Sequence, residues 1–542
     1  MSVLLSNLRT AVRTAVRSVS GGRPVARWPA LWVLLPILWA PAWARALDAR
    51  VETASGPVHG AVAQEVAVFR GLPFAAPPVG EWRWREPQPV APWSAVRPAI
   101  EAGASCPQQR GLSLEGGGDP GRLDEDCLTL NVFAPAAAAR GAKQPVMVWI
   151  HGGALIFGGG GLAVYDGSAL ARRGVVVVTI NYRLGPLGFF SHAALDKAHP
   201  NGPVNFGLLD QIAALQWVQR NIEAFGGDPA NVTVFGQSAG AQSVLALMAS
   251  PLACGLFDRA IAQSPYGVPS HTRAKAAATG AAIATAVGLP GAKASADALR
   301  RIPADRLAAL DGKGLSLAPG FIVGDAAVPQ TLLAAFQSGR EAAVPLIIGN
   351  NSDDASVAFA FGIDPAQIIG KMGKAHMLVQ PLYPGVKDAD RLGREVARDA
   401  VFTAFARRIA YLHSSRAPTW RYYFSHHGAG AGAGVGHGGE VPYVMGTVAS
   451  CACTGAPPTA ADSAVERRIG DRWATFARTG VPEGEVAWAA DGRARSFALE
   501  IGEEDVARPA FMITRLNAFI TGLKLAEGRK SSVSWPDSCS RK

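Results

Sequence analysis

Short runs of β-branched and apolar residues alternate along the chain with longer Ala-rich stretches of helical spacing. This pattern predicts a mostly parallel sheet with helices on both faces. The strand-like runs are Val146–Ile150, Val175–Ile180, Val232–Phe235, Leu346–Ile348 and Trp420–Phe424. Each leads straight into polar or glycine-rich residues. In order these are His151-Gly152-Gly153, Asn181-Tyr182-Arg183, Gly236-Gln237-Ser238-Ala239-Gly240, Gly349-Asn350-Asn351-Ser352-Asp353-Asp354, and a Gly/Ala-rich loop that carries His437. Functional groups therefore gather at the carboxyl ends of parallel strands, where open α/β sheets place their ligand crevice. Two segments, about 274–315 and about 364–416, are rich in Ala, Lys and Arg with little strand signal, and read as helical insertions roofing the sheet. His426 to Gly439 has a linker's composition, but its place between a strand and the apolar run Val441–Met445 makes it a loop inside the domain.

Composition changes this picture mainly at the start of the chain. A basic stretch through Arg27 is followed by an apolar run from Trp28 to Trp43 and then Ala44-Arg45-Ala46, the layout of an export signal, residues 1–46, cleaved after Ala46. The apolar run is short for a membrane span and contains Pro36 and Pro41. No later segment is an uninterrupted apolar run of spanning length, so residues 47–542 are expected to form one catalytic domain with no stable membrane span after cleavage. The net charge of +10 suggests nucleic acid, yet six arginines of the export segment, with no acid beside them, account for most of it and their removal leaves +4. No basic cluster interleaved with aromatics follows, and nucleic acid is not an expected partner. With 49% apolar and 17% charged residues, the chain is a folded protein.

The six cysteines fit an oxidising compartment, the periplasm or the medium. Cys106 and Cys127 bracket a Gly-rich loop of roughly twenty residues, whose closure would constrain the unfolded chain by about 3 kcal/mol. Cys254, Cys451, Cys453 and Cys539 remain without an assigned pairing, and Cys451-Ala452-Cys453 lacks the companions of a metal site.

Gly236-x-Ser238-x-Gly240, between a strand and the apolar stretch Ala241–Met248, is the nucleophile-elbow pattern. The turn is so tight that glycine is required at two positions. A serine hydroxyl is a poor nucleophile near neutral pH and needs a base for its proton and donors for the oxyanion. The backbone N–H groups of Gly152 and Gly153, with that of Ala239, are the candidate donors, and His151 is structural. In the order serine, acid, histidine, the base lies beyond Asp354, among His376, His413, His426, His427 and His437. His437 sits in a loop with little side-chain crowding and is preferred, with His426-His427 at a strand end as the other candidates. Asp353 and Asp354 both follow a strand at the right place for the orienting acid, and either could instead cap a helix. Leu155, Ile156, Phe157 and Tyr266, with Gln237, suggest an apolar substrate pocket. Motifs for Zn, nucleotide phosphate and flavin are missing, so neither a metal nor an organic cofactor is expected.

An ordered set of motifs supports a family resemblance. It comprises Phe69-Arg70-Gly71-Leu72-Pro73-Phe74-Ala75 with Pro77-Pro78-Val79-Gly80, Glu125-Asp126-Cys127-Leu128-Thr129-Leu130-Asn131-Val132, His151-Gly152-Gly153-Ala154 and Asn181-Tyr182-Arg183-Leu184-Gly185. It continues with Phe225-Gly226-Gly227-Asp228-Pro229, Gly236-Gln237-Ser238-Ala239-Gly240, His437-Gly438-Gly439-Glu440 and Trp473-Ala474-Thr475-Phe476-Ala477. Across about residues 57–482 the chain resembles the type-B carboxylesterases, the family of bacterial para-nitrobenzyl esterases and cholinesterases. The resemblance implies an α/β-hydrolase fold and hydrolysis of carboxylic esters through an acyl-enzyme. It implies Ser238, Asp354 and His437 as triad, Gly152, Gly153 and Ala239 as oxyanion donors, and a Cys106–Cys127 bridge.

Two departures stand out. The family's acid is usually Glu in an Asp-Glu-Gly stretch, whereas Asp353-Asp354-Ala355 stands here, one methylene shorter, so either the backbone moves closer or Asp353 takes part. Gln237 replaces the Glu often found before the serine, which removes a negative charge and disfavours strongly cationic substrates. The expected substrate is an uncharged ester with an apolar part. Amides, carbamates or bulky polyesters on the same triad are the alternative, because these residues do not define the pocket's shape. A non-catalytic adhesion or binding role fits less well, because the whole constellation is present. The oligomeric state stays open.

Overall fold

Valine and isoleucine dominate the central strands because those strands are covered on both faces, which removes the polar alternation of a half-exposed strand. In the computed structural model Gln144–Ile150 is buried from Pro145 onward and Val176–Ile180 is buried throughout. The structure describes residues 47–527 apart from 111–117, 138–141, 268–269, 311–319, 361, 373–375, 429–433 and 451–456. The expected export signal and Cys451, Cys453 and Cys539 lie outside the described residues.

Among the described residues thirteen strands form one sheet, and His271–Thr272 pairs with Ile322–Val323 in a small second one. From one edge the large sheet runs Leu47–Thr53, Gly56–Ala63, Val66–Pro73, Thr129–Pro135, Val176–Ile180, Gln144–Ile150, Gly227–Gln237, Arg259–Gln263, Leu346–Asn351, Thr419–Phe424, Phe497–Ile501 and Asp505–Pro509, with Arg97–Pro98 beside the second. From Val176–Ile180 to Phe497–Ile501 all neighbours are parallel, and the flanking strands on the path are antiparallel. This is the α/β-hydrolase architecture expected from the strand and motif order.

Side chains alternate between two cores with the two-residue period of a strand. Val146, Val148 and Ile150 join one core, which includes residues of the helices Phe206–Asn221 and Ala239–Ala249. Met147 and Trp149 join the other, against the helix Ala460–Thr479. The first expected insertion contains the helices Arg273–Ala286, Ala296–Arg300 and Ala304–Ala308. The second is not all roof. Its last helix, Ala404–His413, sends Phe405, Ala406, Ile409 and Ala410 into the first core, so it covers the sheet.

Two devices fix the loops beside the future site. The Arg183 guanidinium and backbone N–H both donate to Asp210, with side-chain contacts of 2.7 and 2.8 Å, and the pair is buried. This compensates a charge that would otherwise be costly to bury. Cys106 and Cys127 form a disulfide, with S–S 1.99 Å. Asn181 Nδ2 donates to Cys127 O at 3.0 Å and to Ala104 O at 2.9 Å, which ties the bridge to the end of Val176–Ile180. Cys254 is also disulfide-bonded.

Replacing Cys106 and Cys127 together by serine should lower unfolding stability by about 3 kcal/mol, the loop-entropy value for a closure of this length. Denaturant midpoints of the oxidised protein and the variant would check this, and equal midpoints would show that the bridge constrains nothing.

Candidate active site

Gly227–Gln237 ends in the middle of the sheet, and the chain turns at once into the helix Ala239–Ala249. The turn forces the backbone of neighbouring strands together. A Cβ on Gly236 would lie 2.6 Å from Ile150 O, and one on Gly240 would lie 2.0 Å from the same oxygen. Ser238 between them has φ 58° and ψ −122°, a conformation that costs a non-glycine residue of order 1–3 kcal/mol and is found mostly at functional sites. Its N–H donates to Gln263 O at 2.8 Å, and its carbonyl accepts from Gln242 N at 2.9 Å. The hydroxyl-bearing residue is thus held at a helix N-terminus by two neighbouring elements.

Arg259–Gln263, the next strand, is followed directly by Ser264, which also has a positive φ, 52°. Ser264 Oγ donates to Asp354 Oδ2 at 2.9 Å, and Asn351 N donates to the same oxygen at 2.7 Å. The other carboxylate oxygen, Asp354 Oδ1, lies 2.7 Å from His437 Nδ1. Asp354 is 0% exposed, so this contact stands in a low-dielectric interior where hydrogen bonds to charge are strong. The opposite ring nitrogen, His437 Nε2, is buried without a hydrogen-bond partner among the described residues. Ser238 and His437 are therefore joined through the successive residues Gln263 and Ser264 and then Asp354.

The loop that carries Asp354 is tied to the loop of His437. Asp353 pairs with Gly436 in a parallel bridge, Asp353 N donates to Val435 O at 2.8 Å, and Asn351 Nδ2 donates to Gly436 O at 2.9 Å. These contacts hold the backbone before His437 against the backbone that carries Asp353 and Asp354. The Asp353 side chain lies 3.8 Å from Arg394. Of the other histidines, His426 Nε2 lies 2.8 Å from Asp462, His413 Nδ1 lies 2.9 Å from Glu341, and His427 is exposed.

Gly153 has φ 102°, and a Cβ there would fall 2.1 Å from Phe157 O. The N–H groups of Gly152, Gly153 and Ala239 donate to no protein acceptor among the described residues. His151 stacks on Tyr182 with ring centroids 4.4 Å apart, and its carbonyl accepts from Tyr182 Oη at 2.9 Å. Burial holds the His151 imidazole down at about 4, well below the ordinary histidine value, so it stays neutral near pH 7 and serves as a rigid support.

Among the residues expected to form the pocket, Phe157 is buried beside the Gly153 turn. Leu155 is 2% exposed and packs in the first core, whereas Ile156 faces a small apolar cavity with Leu184 and Leu307. Tyr266 lies edge-on to Phe402 at 6.3 Å, and Phe402 in turn lies 5.3 Å from the His437 ring. Phe402 belongs to a π-helical turn, Asp399–Thr403, and Val401 O in that turn accepts from Gly267 N at 2.9 Å.

Sequence reasoning missed the support behind these groups. Glu440 is buried and accepts from Gln263 Nε2 at 3.1 Å and from Asn351 Nδ2 at 2.5 Å. Burial, and then the charge of Asp354, push its carboxyl above the usual range. Gln263 Oε1 accepts from Trp473 Nε1 at 3.2 Å. Glu440 stood inside a matched motif, and Ala260-Ile261-Ala262 could have marked the strand that delivers Gln263 and Ser264.

The model of the carboxylesterase family matches residues 47–380 and 386–516. The chain belongs to that family. It is similar to the para-nitrobenzyl esterase of Bacillus subtilis (strain 168), 37% identical over 457 residues that cover 81% of this chain and 92% of the relative. It is 36% identical to the fumonisin B1 esterase of Sphingopyxis macrogoltabida, over 80% of this chain and 82% of that one. A solved thermophilic PNB esterase superposes with a TM-score of 0.76 at 33% identity, covering 87% of this chain and 99% of its own. As a carboxylesterase, the protein is a carboxylic ester hydrolase. Among the described residues no helix is long and apolar enough to cross a membrane.

His151 has a pH consequence. Its folded-state value lies below the unfolded one, so between pH 6.5 and about 4 the unfolded chain binds the extra proton. Stability should fall as the pH drops through that window, by on the order of 3 kcal/mol in total, and stay level above it. Denaturation profiles of the wild type and His151→Gln should differ in slope across that window, the variant being the flatter, if this residue is the cause. A variant with the full acid sensitivity would place it elsewhere.

Proposed function

We propose that the ester hydrolysis runs through an acyl-enzyme on Ser238, with His437 as base, Asp354 as the acid that orients it, and Gly152, Gly153 and Ala239 as oxyanion donors. The observation that carries this reading is the 2.7 Å contact between His437 Nδ1 and Asp354; the opposite ring nitrogen is buried and bonds to none of the described residues, Ser238 included. Ser238 Oγ attacks the ester carbonyl carbon while His437 Nε2 takes its proton. The carbonyl oxygen, now negative, is met by the backbone N–H groups. Collapse of the adduct breaks the bond to the alcohol, which leaves with the proton from His437. Water then attacks the acyl group and gives its proton to His437, and as this second adduct collapses the imidazolium returns that proton to Ser238 Oγ, releasing the carboxylic acid and the free serine. Asp354 keeps its charge throughout and stabilises the imidazolium that forms twice in each cycle.

The substrate class is an uncharged ester with an apolar part. Phe402 and Tyr266 supply apolar surface near the base and Phe157 beside the Gly153 turn, and Gln237 adds no charge before the nucleophile. Residues 1–46 act as an export signal, and the mature domain works in the periplasm or the medium, where the Cys106–Cys127 bridge persists.

Ser238→Ala should unfold at the wild-type midpoint and lose at least about 10⁴-fold in turnover of a short-chain nitrophenyl ester. Persistent turnover would refute the nucleophile. Asp354→Asn should cost about 10³- to 10⁴-fold in kcat, because it favours the wrong tautomer, while Asp353→Asn should cost less than about tenfold. Equal losses in the two variants would tell against Asp354 as the orienting acid.

A further inference from the structure

Gln237 immediately precedes the nucleophile and is 7% exposed. Its carboxamide lies alongside the candidate oxyanion loop: a Cβ on Gly152 would meet Gln237 Oε1 at 3.0 Å and Ser238 Cβ at 3.2 Å. Its Nε2 is buried and has no hydrogen-bond partner among the described residues, as is true of His437 Nε2. A buried N–H without an acceptor costs more than an ordinary hydrogen bond contributes, so the Gln237 donor, like the His437 Nε2 acceptor, calls for a partner that arrives with the substrate.

Resting on the triad reading above, we propose that Gln237 is a specificity-determining residue whose Nε2 donates to a neutral oxygen acceptor on the substrate, an ether, hydroxyl or second carbonyl close to the scissile ester. A cation has no lone pair to offer this donor. A carboxylate could accept, but Glu440 and Asp354 already place two buried carboxyl groups behind the site. Glu440 bonds to Gln263, the residue paired with Gln237 on the next strand, so a third acid would be opposed there. A neutral acceptor satisfies the N–H without that repulsion.

The test uses two pairs of esters matched in size. On the acyl side, 4-nitrophenyl methoxyacetate is compared with 4-nitrophenyl butanoate; on the alcohol side, 2-methoxyethyl butanoate with butyl butanoate. For each pair the ratio of kcat/KM is measured in the wild type, Gln237→Met and Gln237→Glu, with active sites counted by covalent organophosphate titration. Comparing ratios between proteins cancels the intrinsic reactivity of the esters. In at least one pair the preference for the oxygen-bearing ester should drop about 3- to 10-fold in Gln237→Met, the worth of one hydrogen bond, and at least as far in Gln237→Glu. Unchanged ratios in both pairs, even with lower absolute rates, would overturn the proposal. Ser238→Ala run beside them separates the two readings, since turnover surviving in that variant defeats the triad itself.

Discussion

One steric constraint organises the site: the carbonyl of Ile150 occupies the space that side chains at 236 and 240 would need. Because both residues are glycines, the strand Gly227–Gln237 can turn into its helix against the end of Gln144–Ile150, and the residue between them is pushed into a conformation it would not adopt alone. The same carbonyl begins the His151-Gly152-Gly153 loop. The strained serine and the glycine N–H groups are therefore placed by a single backbone contact, and neither could shift without the other.

Much of this was legible in the sequence, for a physical reason. A parallel sheet covered on both faces writes its strands as apolar runs, and the polar residues that end those runs are the ones the sheet gathers. Gly236, Ser238 and Gly240 were readable because only glycine tolerates the contacts of that turn. The support was harder to see. Gln263 ends, and Ser264 follows, a strand of Ala and Ile short enough to pass for a helix fragment, and spacing alone does not say that this strand lies between those that lead to Ser238 and Asp354. Asp353 and Asp354 are consecutive, so their different surroundings depend on a bridge to Gly436 that joins residues more than eighty positions apart. The helix Ala404–His413 looked like part of a roof because its Ala- and Arg-rich composition hides the few residues that enter the core.

Behind the groups nearest the reaction lies a wired layer: Trp473, Gln263, Glu440 and Asn351 form one chain of hydrogen bonds that touches the turn of Ser238, the loop of Asp354 and the loop of His437. Three loops that could each move separately are reduced to one body. Burying Glu440 carries a desolvation cost, offset by two amide donors, and the result is a set of functional groups whose spacing is inherited from the sheet.

The π-helical turn at Asp399–Thr403 limits how this architecture can vary in length. Such a turn holds one residue more than an α-turn, and that surplus residue lets a ring rest beside the imidazole while the helix beyond still meets the sheet. Losing or gaining a single residue there would rotate everything downstream by about 100° and swing Phe405 and Ile409 off the core. Diversification of this stretch is thus channelled into exchange of side chains, and changes in chain length are displaced to the connections on either side.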